Sequence, residues 1–516
     1  MSRYNKTTAK PAGHSPVTSE PMPSGATHEG ARGYTRDPKS ELFLLAVSYM
    51  GDNTFYETAR DRDTRFAQLA RVTACADPAW YGQFTAWLRD GANMRTASLI
   101  AAAEGVKGRL DSKLAPAGRR WISGACKRAD EPGELFAYWH AKYGRKLPKP
   151  VKRGLADAAA RLYSEWSLLK YDTASHGYRF GDILELTHPP VGDSALFKYA
   201  IDRRHNRAPG EITGLPMVDA QMHLRAQAAG DNPRILLDSE ALKRAGMTWE
   251  DALSLAGDKL PKAELWAALI PSMGYMALLR NLRNFDQAGV TDATAGIVTA
   301  RLTDPEQVKR SRQFPFRFLA AYQAAASLRW SYPLEQALNL SLANVPALAG
   351  RTLILVDRSG SMFDRMSARS ELTRADSAAV FGSALALRAA AADLVEFGTG
   401  SRVVPVSRAE SVLKVIGRFG NLGGTNTAQA VRSHYSGHDR VVIVTDEQAW
   451  GGYYGEEPTR QVPAHVPVYT WNLAGYQYGH GPSGSANRHV FGGMTDQAFA
   501  MIPLLEAGRD GAWPWA

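Results

Sequence analysis

The sequence predicts a multidomain protein of the α + α/β class, in which a long helical region precedes a C-terminal α/β domain. Between about residues 38 and 345, apolar residues recur three and four positions apart, which is the spacing of amphipathic helices. Beyond residue 347, short apolar runs alternate with helical patterns, which is typical of a doubly wound parallel sheet. We therefore expect a tail over residues 1–35, a helical region over 36–347 and an α/β domain over 348–516.

The first 35 residues are rich in Ser, Thr, Pro and Gly and contain no apolar block. Because they offer too little apolar surface to offset the entropy of ordering, we expect a disordered tail without a signal peptide. No stretch of the chain approaches the about 18 apolar residues that a membrane span requires. Cys75 and Cys126 form neither a metal-type pair nor a disulfide framework, which favours a reducing compartment. The sequence therefore predicts a soluble, cytoplasmic protein.

The net charge of +10 belongs entirely to the chain before Arg351. That part holds 46 of the 61 Lys and Arg residues and 36 of the 51 Asp and Glu residues, and the remainder holds 15 of each. A basic excess in one part of a chain is the expected footprint of a nucleic-acid surface, because neutralised phosphates release their counterions. An ordinary basic protein is the alternative, and charge alone does not separate the two.

The sequence of the helical region predicts a series of short helices. Segments such as "KSELFLLAVSYM", "VKRGLADAAARLYSEWSLL" and "YMALLRNLRN" each place one apolar stripe on a helix, and Pro, Gly or Asp-Pro separates many of them. This pattern favours helix pairs stacked on their neighbours. The sequence has no repeat of fixed period. A solenoid is therefore compatible with the pattern but is not shown by it.

A first basic stretch of this region, "YGRKLPKPVKRGLADAAARL", places Lys149, Lys152 and Arg153 around the start of a predicted helix. Backbone donors and the positive end of the helix dipole make a helix N-terminus a suitable place for phosphate. We therefore take these three residues as candidates for RNA binding. The alternative is a solvated charged face, which is what most charge runs are.

A second stretch, "LLKYDTASHGYRFGDILELTHPP", interleaves Lys170, Arg179 and His188 with Tyr171 and Tyr178. Basic groups beside aromatic faces can bind both phosphates and stacked, unpaired bases. These residues are further candidates for RNA binding. For His188 alone, a histidine that caps a helix end is the alternative.

Oxygen-bearing side chains follow the predicted strands of the α/β domain. Asp357, Ser359 and Ser361 come directly after the run "TLILV", Asp446 ends "VVIVTD", and Thr425 lies in the Gly-rich loop "NLGGTNT". Ligands of doubly wound sheets gather beyond the carboxyl ends of the strands, so we expect these oxygens to meet at one edge. Carboxylates and hydroxyls suit a hard divalent cation, Mg²⁺ before Mn²⁺ or Ca²⁺.

Catalysis is not the expected role of this oxygen cluster. No general base, nucleophile elbow or phosphate loop accompanies it, and "GGTNT" lacks the lysine of a P-loop. The sequence therefore predicts a protein that is not an enzyme.

The pattern Asp-x-Ser-x-Ser, followed by Thr425 and Asp446, resembles the metal-ion-dependent adhesion site of the von Willebrand factor A fold. The resemblance implies that the hydroxyls bind the metal directly and that the aspartates bind it largely through water. It also implies that the carboxylate of a partner often completes the coordination shell.

Six helical segments, followed by an A-type domain, resemble the Ro sixty-kilodalton autoantigen family and its bacterial members: "RDTRFAQLA", "LPKPVKRGLADA", "LLKYD", "GDILELTHP", "LWAALIPSMGYMALLRNLRNF" and "RQFPFRFLAAY". The resemblance implies a TROVE module, a ring of HEAT-like helical repeats that the A domain closes. Family members are ribonucleoproteins of RNA quality control and stress response. They bind small noncoding Y RNAs on the outer surface and single-stranded ends of misfolded RNAs in a basic hole.

Carried over by position, the resemblance places Lys170 and His188 at the Y RNA surface and matches Lys152 and Arg153 to a basic pair of the family. The chain departs from the family at Asp172-Thr173-Ala174, where members tend to carry further basic residues, and it has one extra residue before His188.

The expected function is thus a monomeric, RNA-binding scaffold, with any nuclease activity supplied by a partner such as an exoribonuclease. The alternative is an adaptor that uses the metal site to bind a carboxylate of a partner protein.

Overall fold

The computed structural model describes residues 13–49, 52–115, 117–175, 177–190, 194–207, 214–325, 327–366, 371–452, 456–484 and 486–516. Within them, α-helices fill the chain up to residue 341, and a six-stranded sheet with flanking helices follows from residue 351. The predicted order of a helical region and an α/β domain is therefore confirmed.

The helices of the first region begin where the sequence supplies caps. Asp37 precedes Pro38 and accepts hydrogen bonds from the backbone N–H groups of Lys39 and Ser40, which satisfies donors that a helix start leaves free. Within the described residues the α-helices are α1 Pro38–Val47, α2 Ala59–Ala76, α3 Pro78–Asp90, α4 Arg95–Asp111, α5 Arg119–Ala125, α6 Glu131–Tyr143, α7 Lys149–Leu162, α8 Glu165–Tyr171, α9 Phe180–Thr187, α10 Ser194–Arg204, α11 Pro216–Ala229, α12 Ser239–Arg244, α13 Trp249–Ala256, α14 Lys262–Leu269, α15 Tyr275–Gln287, α16 Asp292–Leu302, α17 Pro305–Ser311, α18 Pro315–Ala324 and α19 Ser331–Ser341.

Helices close in sequence pack on each other, as α2 does on α4, α5 on α7, α9 on α10 and α18 on α19. The contact between α5 and α7 is close because Gly154 faces Ile122, and a Cβ on Gly154 would lie 2.6 Å from the Cβ of Ile122. The apolar face of α7 is therefore buried, and its polar face is left toward solvent. No helix of the described segments combines the length and the apolar character that crossing a bilayer demands.

The C-terminal domain is built on a mixed sheet in which β3 is central. In the described chain the strands are β1 Gly25–Ala26, β2 Arg32–Thr35, β3 Arg351–Asp357, β4 Ala391–Phe397, β5 Ser401–Val403, β6 Arg440–Thr445, β7 Val468–Asn472, β8 Tyr478–Gly479 and β9 Arg488–Gly492. The large sheet has the order β5-β4-β3-β6-β7-β9, with β5 antiparallel to β4 and the other neighbours parallel. The helices of this domain are α20 Arg374–Arg388, α21 Val412–Ile416, α22 Thr427–His434 and α23 Met501–Glu506.

This strand order confirms the prediction of a doubly wound sheet. The chain moves from β3 to one edge, returns to β6 and then proceeds to the other edge, so that the carboxyl ends of β3 and β6 lie side by side. The central strands are apolar on both faces because helices or chain cover both sides, and every residue of β6 is buried.

The prediction of a disordered tail is wrong for residues 13–35. These residues contain β1 and β2, and β2 pairs with β8 of the C-terminal domain. Local composition could not predict this order, because the partners lie more than 400 positions away, as in the hydrogen bond from Thr27 Oγ1 to the carbonyl oxygen of Ala449. Residues 1–12 of the predicted tail lie outside the described residues.

Both ends of the helical region contact the C-terminal domain. At the start, Arg62 of α2 donates a hydrogen bond of 2.9 Å to the carbonyl oxygen of Ala474. At the end, the backbone N–H of Asn344 donates to Asp496 at 2.9 Å. The two ends of the helical region are thus joined through the sheet domain.

Candidate functional site

The structure brings the predicted oxygen cluster together. Asp357 ends β3, and Asp446 follows directly after the neighbouring strand β6. Ser359 forms a parallel bridge with Gly423, which holds the Gly-rich loop of Thr425 alongside. The members of this oxygen cluster are at most 4% exposed: Asp357, Ser359, Ser361, Thr425 and Asp446. Although the sequence places them at a sheet edge, they are buried.

The two carboxylates of the oxygen cluster are buried, and their surroundings stabilise the negative charge poorly. Burial and the charge of Asp446 raise the pKa of Asp357 to about 7, and burial raises the pKa of Asp446. Asp357 accepts hydrogen bonds from the Ser359 backbone at 2.9 Å and from Thr445 Oγ1 at 2.5 Å. Asp446 Oδ2 is buried and has no hydrogen-bond partner among the described residues.

These observations fit a divalent cation. Two carboxylates and three hydroxyls are the donors that Mg²⁺ prefers, and an orphaned carboxylate oxygen is a place for a positive charge. The described residues contain no group of three or more His, Cys, Asp or Glu side chains that could hold a metal. A cation at the oxygen cluster would therefore depend on the hydroxyls of Ser359, Ser361 and Thr425.

The first basic stretch lies at the start of α7, as predicted. Lys149 and Arg153 are exposed and Lys152 is half-buried, while Val151 and Leu155 on the opposite face are buried. Pro148 at the N-cap offers no side-chain acceptor to the first turn. The three basic side chains and the free end of the helix therefore face outward together.

The second stretch places Lys170 in the last turn of α8, next to two aromatic rings. Its Nζ lies 4.6 Å from the ring centroid of Trp166 and 5.3 Å from that of Tyr171. Trp166 is 46% exposed, which is unusual for so large an apolar side chain. The sequence reasoning missed Trp166, although the spacing of four residues to Lys170 on one helix was a signal that could have found it.

Arg179 and His188 occupy different environments. The guanidinium of Arg179 binds the buried carboxylate of Asp172 at 2.6 Å, so its charge is used inside the protein. His188 is exposed at the C-cap of α9, where it adopts a φ of 49°. The structure thus leaves the His188 ring accessible and commits Arg179 to an ion pair.

A groove of about 680 Å³ runs beside Lys170, between α8, α10, α11 and α13. Besides Lys170 and Tyr171 it is lined by residues that the sequence reasoning missed: Tyr199, Arg203 and Arg225. Arg225 binds Asp251 at 2.9 Å, and both line the groove. The α7 candidates do not line this groove.

Comparison with known proteins gives one family match. Residues 239–331 match the model of the TROVE domain. The chain is 26% identical over 462 residues to the RNA-binding protein RO60 of Deinococcus radiodurans, covering 81% of this chain and 82% of that protein. It is 42% identical over 83 residues to telomerase protein component 1 of Mus musculus, a match that spans 16% of this chain and 3% of that protein.

A solved structure extends the similarity to the whole fold. The crystal structure of the Deinococcus radiodurans RO (RSR) protein superposes with a TM-score of 0.61 at 20% identity, covering 91% of this chain and 100% of that chain. The helical region followed by a sheet domain is thus the architecture of that protein. Over most of its length the chain is thus similar in sequence to a bacterial RO60 protein, and it shares the fold of the RO (RSR) protein.

Proposed function

We propose that this protein is an RNA-binding scaffold of the Ro type, which binds noncoding RNA on the outer surface of its helical region. The observation that carries the proposal is Lys170, an exposed cation beside the exposed ring of Trp166 and the ring of Tyr171. Such an arrangement can neutralise a phosphate and stack an unpaired base.

Three further findings support the proposal. The whole basic excess belongs to the chain before Arg351. At the start of α7, Lys149 and Arg153 are exposed and Lys152 is half-buried. The Deinococcus relative carries the name of an RNA-binding protein. Arg179 is left out of the proposed surface because Asp172 holds its charge, whereas His188 is retained.

The finer function follows the resemblance to the Ro family. The proposed ligands are a Y-like RNA on the surface around Lys170 and His188, and single-stranded ends of misfolded RNA passing through a ring. The ring is supported by the contacts that join both ends of the helical region to the sheet domain. We propose that the protein acts in RNA quality control or stress response, as a cytoplasmic monomer without catalytic activity of its own.

RNA binding is tested with a variant that combines Lys152→Ala, Arg153→Ala and Lys170→Ala. We expect an affinity that falls steeply between about 50 mM and about 200 mM salt in the native protein and is much weaker in the variant, because each lost phosphate contact removes counterion release. A control that combines Arg408→Ala, Lys414→Ala and Arg509→Ala removes the same charge from exposed positions of the sheet domain. No RNA affinity at low salt, or equal affinities of the two variants, would contradict the proposal.

A second role belongs to the oxygen cluster. We propose that Asp357, Ser359, Ser361, Thr425 and Asp446 bind Mg²⁺, and that the alternative function is an adaptor whose metal site binds a carboxylate of a partner such as an exoribonuclease. The orphaned Asp446 Oδ2 supports this role. Addition of a chelator separates the two functions: RNA binding survives it, and adaptor binding does not. RNA cleavage by purified protein that Asp357→Ala abolishes would contradict the absence of catalysis.

A further inference from the structure

A cavity of about 290 Å³ lies between the start of the helical region and the end of the sheet domain. α1 contributes Phe43 to its wall, α3 contributes Trp87, and β9 contributes Phe491. The chain that follows α23 supplies Trp513. Segments far apart in the sequence thus surround one space, and this space shares no lining residue with the groove beside Lys170.

The lining of the cavity is apolar. None of the described residues that line it carries a charged side chain, and Thr495 and Gln497 are the polar side chains among them. An ion would lose its hydration in such surroundings without gaining a partner, so the lining excludes charged ligands. Apolar walls with a few polar groups are typical of sites for small molecules. The cavity therefore suits an uncharged ligand with one or two polar atoms.

Aromatic rings of the cavity wall are held in place by other rings. Trp513 lies edge-on to Phe43 with 5.2 Å between ring centroids, and it stacks on Trp515 at 5.4 Å. Trp87 stacks on Phe43 at 5.6 Å. Rings fixed in this way offer faces and edges to a further ring, in the offset or edge-on arrangements that aromatic pairs prefer. The wall thus favours a planar aromatic ligand.

The C-terminal segment, residues 507–516, forms one side of the cavity and is joined to other parts of the protein by few contacts. The backbone N–H of Gly511 donates to the carbonyl oxygen of His14 at 2.7 Å, and the backbone N–H of His14 donates to Asp510 Oδ1 at 2.8 Å. The ring of Trp515 lies 5.3 Å from that of Trp87 in α3. A ligand in the cavity would add contacts on the inner side of this segment.

We propose that the cavity binds a small, uncharged aromatic molecule, and that its binding fastens the C-terminal segment to α1 and α3. Protein interiors contain few voids larger than a water molecule. An apolar cavity of about 150 Å³ already holds benzene, so this cavity has room for roughly two fused rings. Thr495 or Gln497 orients the ligand through a hydrogen bond. The proposal depends neither on RNA binding nor on the metal site.

Titration of the full-length protein with 5-fluoroindole, followed by ¹⁹F NMR, tests the proposal. We expect saturable binding to the native protein. Ala498→Phe weakens this binding at least about 10-fold, because Ala498 lines the cavity and the larger side chain takes the place of the ligand. Ala324→Phe is the matched control, since it makes the same substitution at an exposed position of α18.

Two further measurements do not require the cavity to accept a larger side chain. Trp513→Ala removes a ring from the wall and should weaken binding about 10-fold. The probe 5-fluoroindole-2-carboxylate adds a negative charge to the same two rings and should bind much more weakly than 5-fluoroindole. Equal affinities of the two probes, or of Ala498→Phe and Ala324→Phe, would contradict the proposal.

Hydrogen exchange tests the fastening of the C-terminal segment. We expect 5-fluoroindole to slow exchange of the amides between residues 507 and 516 in the native protein and in Ala324→Phe, but not in Ala498→Phe. The proposal is refuted if the native protein shows no saturable binding. It is also refuted if binding appears only after deletion of residues 1–12, which lie outside the described residues, because that segment would then be the occupant.

Discussion

The two candidate sites of this protein hold their charges in opposite ways. Lys170 lies at the surface beside the exposed ring of Trp166, whereas Asp357 and Asp446 are fully buried. Exposed charges keep their hydration and suit a large polyanion, which binds through many weak and salt-sensitive contacts. Buried charges are costly alone and suit a single small ion. The difference assigns RNA to the helical region and the cation to the sheet domain.

The largest expected effect is a change of the free energy of unfolding with pH in the metal-free protein, caused by the buried carboxyl group of Asp357. Because the pKa of Asp357 rises from 3.8 to about 7 on folding, the folded state binds this proton more tightly than the unfolded state. The stability it contributes is complete below about pH 4 and is lost as the pH rises toward 7. In chelator, urea unfolding from about pH 5 to about pH 8 should show a loss of roughly 3 kcal/mol.

Asp357→Asn should reduce this pH dependence, since an amide does not titrate and only Asp446, whose pKa burial also raises, remains. Addition of Mn²⁺ at the high-pH end should restore the stability of the native protein and not that of Asp357→Asn. An unchanged pH dependence in Asp357→Asn would contradict the charge arrangement described for the sheet edge.

Arg179→Ala should affect folding more than RNA binding. It leaves the buried carboxylate of Asp172 without its nearest cation, with Arg203 remaining at 3.7 Å. We expect a cost of about 2–3 kcal/mol in the free energy of unfolding. Arg153→Ala, at an exposed position, should change stability by less than about 0.5 kcal/mol and weaken RNA binding. The reverse outcome for the two variants would show that Arg179 belongs to the RNA surface.

Trp166→Ala should weaken the binding of single-stranded RNA by about 1–2 kcal/mol, because a base loses its stacking surface. Tyr332→Ala removes another exposed aromatic side chain of the helical region, 67% exposed, and is the control. Filter binding with an oligonucleotide measures both. Equal affinities of the two variants would place RNA away from α8.

Lys170→Gln should have the smallest effect. It removes one phosphate contact, so we expect the slope of log affinity against log salt to fall by about 0.7 for single-stranded RNA. Lys414→Gln, at an exposed position of the sheet domain, should leave the slope unchanged. A slope that responds to Lys414 and not to Lys170 would reverse the assignment of the two regions.

The sequence predicted the elements whose signal is local. The strands β3 and β6 are continuous apolar runs, and the oxygen cluster follows them in a recognisable order. β9 was not predicted, because "RHVFG" contains Arg488 and His489 and lacks a continuous apolar run. The order of residues 13–35 was missed for a different reason, since their hydrogen bonds to the sheet domain join residues more than 400 positions apart.

The candidate sites also contain residues that a local sequence pattern predicts and residues that only the tertiary structure reveals. Lys170 and the α7 cations were predictable from charge and helical spacing, but Tyr199 and Arg225 reach the groove only because α10 packs on α9 and α11 packs on α8. The five candidate ligands of the oxygen cluster were predictable from their pattern in the sequence. Tertiary contacts, which sequence spacing does not encode, bring Tyr199 and Arg225 to the groove.

The assignment of RNA to the helical region is tested most directly by cross-linking a 4-thiouridine RNA to the native protein and identifying the modified peptides. We predict cross-links in the peptides of α7 to α9, with Trp166 and Tyr171 among the modified residues, and the same peptides in the presence of chelator. Cross-links concentrated after residue 350, or lost on chelation, would contradict the division between the two regions.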